Sequence, residues 1–563
     1  MAELATKGGR HGTYLRIDLT SGEATSVPIP ADVARRFVGG VGLGAWICLR
    51  EGGAETDPLA PDAPLVFCLS PLVGTPLTTS AKFAVVGRSP LTGFLSDAIS
   101  SSHFAIAAKR AGHDAYVLKG RAQGIARLVV DDGAVEVRDA THLAGLAADE
   151  CELDGFRTAA IGPAGEKLVR YATITNDGRH AGRGGLGAVM GAKNLKAFSI
   201  RGTHETEVAD PRGVVAAARA LSEKSLGPAT AKYRELGTIA NVAVFNRLQA
   251  LPTRNFLDQS FEDAPKISAE VLHEMHRVGR ASCAACTIGC EHLFRPPGGR
   301  PVRLEYETLF ALGALLGIGD RRAVLEAAAL CDRLGIDTIS AGGTLAFAME
   351  AELTDLRFGD GAGVLAALQR IAKREGDGDL LAEGSRIAAD RVGRPELAMH
   401  VKGLEIPGYD PRRLPAMALG FAVGTRGADH NRSGAYEIDF SPDAFDLARL
   451  VAVENRSAAM DSLILCKFLR GVFQDFAREG SELLRLVTGD EVDLDEAGKD
   501  ICNLRKVFNI RAGWSRADDA LPARLLQGEL SEQKLADMIR GYYRTRGWTD
   551  EGLVPESSRG EYP

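Results

Sequence analysis

The sequence predicts an α+β protein, with a β-rich N-terminal part followed by two mainly α-helical parts. Three observations carry that expectation. The chain has 563 residues, more than one hydrophobic core serves, so about two to four domains are expected. Up to about residue 200 the pattern is one of strands and turns. From about residue 210 apolar residues recur at helical spacing instead.

In chain order, GTYLRIDLTSGEATSVPIP alternates apolar residues on both sides of a Ser-Gly turn, and ARLVVDDGAVEVRDA repeats the design around Asp-Gly, a strong hairpin signal. NDGRHAGRGGLGAVMGAKNLKAFSIRG (176–202) reads as a glycine-rich loop, a short helix and a return strand. RRAVLEAAALCDRLGI, GVLAALQRIAKREG and DGDLLAEGSRIAADRVG read as helices ended by glycine-containing turns. A second turn-rich patch covers 402–434, helices follow, and GYYRTRGWTDEGLVPE closes the chain as a polar segment. Boundaries near 205 and 402 follow these changes of pattern, giving segments 1–205, 206–401 and 402–563.

Composition sets limits. A net charge of −7 with no Lys/Arg-rich block excludes nucleic acid as a partner, because phosphate binding needs clustered positive charge. No run of apolar residues is long enough to predict a membrane-spanning helix. MAELATKGGRHGTYLRIDLTSG has no apolar core of a signal peptide, so a cytoplasmic protein is expected. The 64 glycines imply many turns and close backbone approaches.

Nine cysteines are few for this length, and three of them, in CAACTIGC (283–290), form C-x2-C-x3-C. In a reducing compartment such a group reads as metal ligation before disulfide bonding. Zinc needs four ligands, usually in two separated pairs; His292 is near, but no second pair follows. An iron–sulfur cluster takes three thiolates from one loop and a fourth from far away, and Cys466 in DSLILCKF is the distant candidate. Spacing admits a cluster, a zinc site or buried structural cysteines. Cys48, Cys68, Cys331 and Cys502 lie in apolar runs and read as core residues; Cys151 sits among acids with no evident partner.

Around this cysteine set, SPLTGF (89–94), GPAGE (162–166), AGRGGLGAVMGAKNLKA (181–197), YETLFALGALLGI (306–318), CDRLGIDTISAGGTLA (331–346) and IPGYDPR (406–412) occur in order. In these segments, spread over nearly the whole chain, the sequence resembles the aldehyde:ferredoxin oxidoreductase family, tungsten enzymes with a bis-pterin cofactor beside a [4Fe–4S] cluster. The resemblance implies that the β-rich domain supports the pterin, that the cofactor lies where the domains meet, and that Cys283, Cys286, Cys290 and Cys466 hold the cluster. It implies a DxxG-type pterin contact at Asp332, Gly335 and Asp337. A second lies at Asp461 and Leu465, with Ile464 where glycine is expected; the plain alternative for these aspartates is helix-end capping.

The resemblance further implies phosphate binding by Arg183, Gly184 and Gly185, with Mg bridging the pterin phosphates. Lys82 falls where a basic residue links cluster and pterin, usually an arginine. Ser100 belongs to the cofactor-binding set, in DAISSSHF (97–104), where Ile99 and His103 depart from a more glycine-rich loop. For chemistry it implies Glu307 as base and His430 as donor, with Tyr306 supplying a further hydroxyl. An ExxH motif that binds a bridging iron between subunits reads Glu326-Ala-Ala-Ala329 here, so no bridging iron is expected, while assembly by other means is open. The implied activity is oxidation of a small-molecule aldehyde to a carboxylic acid. Electrons would pass to ferredoxin or a dedicated iron–sulfur subunit. The rivals are a reductase of an activated acid or aromatic thioester on the same scaffold, and a non-catalytic scaffold stabilised by zinc. Tungsten and molybdenum are not distinguished.

Overall fold

The computed structural model describes residues 8–441, 443, 445–559, 562 and 563. Twelve strands build the N-terminal part: β1 (Thr13–Asp18), β2 (Ala24–Pro28), β3 (Leu65–Cys68), β4 (Lys82–Arg88), β5 (Leu95–Ser101), β6 (Ala115–Lys119), β7 (Ala126–Asp131), β8 (Ala134–Asp139), β9 (Arg157–Ile161), β10 (Ile174–Asn176), β11 (Arg179–Ala181) and β12 (Leu195–Arg201). They form two six-stranded mixed sheets, ordered β2-β1-β6-β3-β4-β5 and β11-β10-β9-β12-β7-β8.

Successive residues of a strand point to opposite faces, and in the first sheet both faces are buried. Leu65, Phe67, Phe83 and Val85 join the core shared with the second sheet, while Val66, Cys68, Ala84 and Val86 join the core of the helical body. Phe67, Phe83, Phe104 and Phe198 pack between the sheets, edge-on or tilted at most contacts, with centroids 4.9–6.0 Å apart, geometries aromatic rings favour. The predicted hairpins form. At Asp132-Gly133 both turn residues have positive φ (45° and 87°), as the tight hairpin turn requires.

Asp177-Gly178 has the same geometry (46° and 65°), so β10 and β11 make a further hairpin inside the stretch read from sequence as a loop. The expected helix and return strand follow it, Leu186–Ala192 and β12.

Beyond residue 205 helices dominate, with a three-stranded sheet, β13 (Arg277–Ala281), β14 (Glu291–Phe294) and β15 (Val302–Arg303), and a small hairpin of β16 (His400–Val401) and β17 (Leu404–Glu405). Three readings need correction. DGDLLAEGSRIAADRVG forms two helices, Asp377–Leu381 and Ser385–Val392, because Gly384 between them turns at φ +87°. The turn-rich patch 402–434 contains the helix Pro415–Val423, buried from Ala416 onward. The closing segment is not simply polar: Tyr542 and Tyr543 on the helix Glu532–Arg546, and Trp548 after it, are core residues. One apolar core draws residues from all three predicted segments.

Candidate functional site

Cys283, Cys286 and Cys290 lie on the connection from β13 to β14, and Cys466 follows the helix Leu447–Ser462. Two threonines of the N-terminal part stitch these stretches together. Thr79 donates its N–H to the Ala285 carbonyl (2.7 Å) and accepts from the Cys466 N–H at Oγ1 (3.2 Å); Thr78 Oγ1 accepts from the Thr287 N–H (3.0 Å). The backbone is bent sharply here: Thr79, Ala285 and Ile464 all have positive φ (68°, 48° and 62°), a region costly for residues with a Cβ.

The four thiols are partly accessible and feel one another's charge. Burial pushes the Cys290 and Cys286 thiols up, and Cys466 and Cys283 push them further. Among the described residues no three His, Cys, Asp or Glu side chains converge tightly enough for a single metal ion. Burial pulls the Lys82 ammonium down, but Cys466, Cys283 and Cys286 outweigh it and hold it above its ordinary value. Arg179 behaves alike toward Cys283 and is paired with Glu291. It sits on the hairpin that the sequence reading missed, and nothing in NDGRHAG marks it as a neighbour of these thiols. Cys48, Cys68, Cys331 and Cys502 are buried in the core as expected, and so is Cys151.

Glu307 lies in the first turn of the helix Tyr306–Leu312. Its Oε2 accepts from the Gly408 N–H (3.0 Å), while Oε1 has no partner and stands 3.6 Å from His430 Nδ1, also unpartnered. The two side chains are mostly buried, with 15% and 12% of their surface accessible. Burial drives the Glu307 carboxyl up to about 8 and the His430 imidazole down to about 4, because low-dielectric surroundings disfavour charge on either. The Tyr306 hydroxyl is committed to the Gly408 carbonyl, which anchors the same loop that holds Glu307. That gives Tyr306 a positioning role. The His430 ring stacks on Tyr409 (4.9 Å, 27°).

A network of buried charges adjoins this pair, with Asp429, Arg183, Arg426 and Arg432 acting on His430. Asp97 accepts from Arg432 (2.5 Å) and Arg505 (3.0 Å), Asp461 lies 3.2 Å from both Arg432 and Lys467, and Arg426 is 3.3 Å from Asp429. Burial alone would raise the Asp97 carboxyl, but the arginines hold it below the usual range. Arg183 spends its terminal nitrogens on the carbonyls of Ala428 and Glu405, leaving Nε 3.6 Å from Asp337. Asp337 caps the helix Thr338–Glu350 through the Ser340 N–H (3.1 Å), the plain role foreseen for it. Asp332 is half-buried and lies 3.1 Å from His180. Gly335 ends the helix Arg321–Leu334 in the left-handed conformation against Gly162.

Ser100 pairs with Asn176 (2.6 Å), and Leu465 is buried. A Cβ on Gly184 would meet Ser96 Oγ at 1.9 Å, and one on Gly185 the Arg170 carbonyl at 1.9 Å. Glu326 pairs with Arg322 (2.8 Å) on its own helix. His103 pairs with Asp177 at the surface. Besides Glu307 Oε1 and His430 Nδ1, the Nε atoms of Arg183, Arg426 and Arg505 and Ser96 Oγ lack hydrogen-bond partners. Native proteins seldom leave so many buried polar atoms unpaired, and such a set fits a polar, anionic group held between the segments. Nothing in the sequence marks Asp97, Arg426 or Arg505 as a site residue, although Asp97 opens DAISSSHF.

The N-terminal domain model of aldehyde ferredoxin oxidoreductase matches residues 14–202, and the model for its domains 2 and 3 matches residues 215–561. The protein is therefore an oxidoreductase in class. The chain belongs to the aldehyde ferredoxin oxidoreductase family. It is 36% identical to the tungsten-containing aldehyde ferredoxin oxidoreductase of Pyrococcus furiosus, over 97% of this chain and 98% of that one. It is 35% identical to the Thermococcus kodakarensis enzyme of the same name, over 98% of each chain. An aliphatic sulfonate oxidoreductase WOR-like subunit of P. furiosus is 27% identical over 97% of this chain and 96% of that one. The active-site complex BamBC of benzoyl coenzyme A reductase shares the fold, with TM-score 0.85 at 22% identity, over 99% of this chain and 97% of that one. Among the described residues no helix is long and apolar enough to cross a membrane.

Proposed function

We propose that the protein oxidises aldehydes to carboxylic acids at a tungsten–pterin centre and passes the electrons on through a [4Fe–4S] cluster. The observation that carries the reading is the unpartnered face shared by Glu307 Oε1 and His430 Nδ1, 3.6 Å apart. When bound, the metal–pterin centre supplies a two-electron acceptor and the cluster a one-electron relay. Arg183, Arg426 and Arg505, whose Nε atoms lack hydrogen-bond partners, together with Asp332, Asp337 and Asp461 would hold the anionic cofactor, and Cys283, Cys286, Cys290 and Cys466 would hold the iron. Lys82, beside three of these thiols, keeps its positive charge and would offer it to a cluster held there.

The neutral His430 donates to the carbonyl oxygen and polarises it, while ionised Glu307 takes a proton from the attacking water. The Gly408 N–H fixes one carboxylate oxygen, so the other is aimed. Protein purified without oxygen should contain about four iron and one tungsten or molybdenum per chain and should reduce a viologen dye with an aldehyde. Zinc alone in correctly matured protein, with no such activity, would overturn the reading.

A further inference from the structure

β13 is the outer strand of its sheet, hydrogen-bonded to β14 on one side only, and it leads directly into the loop of Cys283, Cys286 and Cys290. Edge strands are normally covered or guarded. This one exposes Arg277, Val278 and Arg280. Val278 is 46% accessible, and Met275, just before the strand, is 55% accessible.

The patch continues across the neighbouring helix end. Arg280 donates to the Arg234 carbonyl (3.0 Å), and the Arg234 guanidinium donates to the carbonyl of Leu226 (2.7 Å), itself 51% accessible. Among the described residues neither Arg277 nor Arg280 forms an ion pair. Glu235, Glu270 and Glu274 are the acids of the same segments and pair with neither. Within the loop of the three thiols the exposed residues are Ser282, Ala285 and Thr287, small groups that allow close approach.

We propose that Leu226, Arg234, Met275, Arg277, Val278 and Arg280 form the docking strip for a small acidic iron–sulfur electron carrier. The proposal rests on the functional reading above. In a chain of net charge −7, arginines without ion-pair partners at a strand edge leading to the thiols complement an acidic partner, and the exposed apolar side chains supply a short-lived, partly dry contact. One aldehyde and one water give one carboxylic acid, two protons and two electrons. The protons leave to solvent, and two carriers dock in turn, each reduced by one electron.

The test uses the holoenzyme, an aldehyde, and two acceptors: an acidic low-potential ferredoxin and benzyl viologen. Arg277→Glu combined with Arg280→Gln should lower kcat/KM for ferredoxin by about tenfold or more and flatten its dependence on ionic strength. Viologen-linked turnover and iron content should stay unchanged. If the double variant loses iron, Arg277→Gln alone, at the exposed start of the strand, decides by the same ratio of acceptors. Unchanged ferredoxin kinetics would overturn the docking strip. So would a change of mass in solution without a change toward ferredoxin, which would make the strip an interface between copies. Wild-type holoenzyme inactive with every aldehyde and viologen would instead overturn the functional reading beneath it.

Discussion

Glu307→Gln should make the protein more stable while disabling it. The folded state holds this carboxyl up at about 8, against 4.5 ordinarily. Sign follows from linkage: a carboxyl raised in the folded state favours folding below its unfolded value, and that contribution is lost as pH rises toward the folded value. At pH 7 the unfolded chain has gained ionisation over a pH span of about 2.5 that the folded chain has not, worth about 3 kcal/mol at about 1.4 kcal/mol per tenfold. Glutamine keeps the acceptor for the Gly408 N–H and has no charge to lose. For a chain of this length about 3 kcal/mol corresponds to a shift in Tm of about 2–3 °C. Thermal unfolding of both proteins between pH 4.5 and pH 8 should show the variant gaining on the wild type as pH rises, with the gap closing at the acid end. Aldehyde turnover should fall about a hundredfold or more, and the wild-type acid limb of kcat/KM, rising toward pH 8, should vanish with it. A difference in Tm that does not change with pH would refute the burial argument, and wild-type turnover would refute the base.

Cys466→Ala should abolish the EPR signal of the reduced cluster, and an unchanged signal would remove Cys466 from the ligand set. Gly185→Ala should destabilise the fold more than Gly184→Ala, because the added Cβ meets a backbone carbonyl at Gly185 but a serine hydroxyl at Gly184; comparison of their unfolding midpoints checks the order. Ile464→Gly relieves a left-handed backbone worth about 1–2 kcal/mol but deletes a fully buried side chain worth about 3–4 kcal/mol. The urea midpoint should therefore fall, and an unchanged or higher midpoint would show that strain dominates.

Ile464 stands where the second DxxG-type segment expects glycine, and its backbone takes the left-handed turn (φ 62°) that glycine favours. Glycine at that position would supply positive φ without cost; here the backbone adopts it anyway, because Ile464 packs against Gly40, which itself has no Cβ to obstruct it. The motif looked broken in sequence because residue type reports backbone preference, not the backbone that packing imposes.

What the sequence determined by itself was local. Asp132-Gly133 selects its hairpin by needing two positive φ values, and C-x2-C-x3-C places three thiols in one loop by spacing. Gly335 stops its helix, and YETLF carries Glu307 at a helix start. Signals of this kind span a few residues because dihedral preference and helical period are short-range. Tertiary structure decided the partnerships. It brought His430 to Glu307, Lys82 to the cysteines, and Arg505 to Asp97 across 408 positions of chain. It turned Arg183 inward onto two carbonyls, committed the Tyr306 hydroxyl to Gly408, and buried the helix Pro415–Val423 inside a stretch that looks all turn. Burial then set the chemistry: the same glutamate and histidine at the surface would titrate near their ordinary values, and only desolvation in the packed interior separates them to about 8 and about 4.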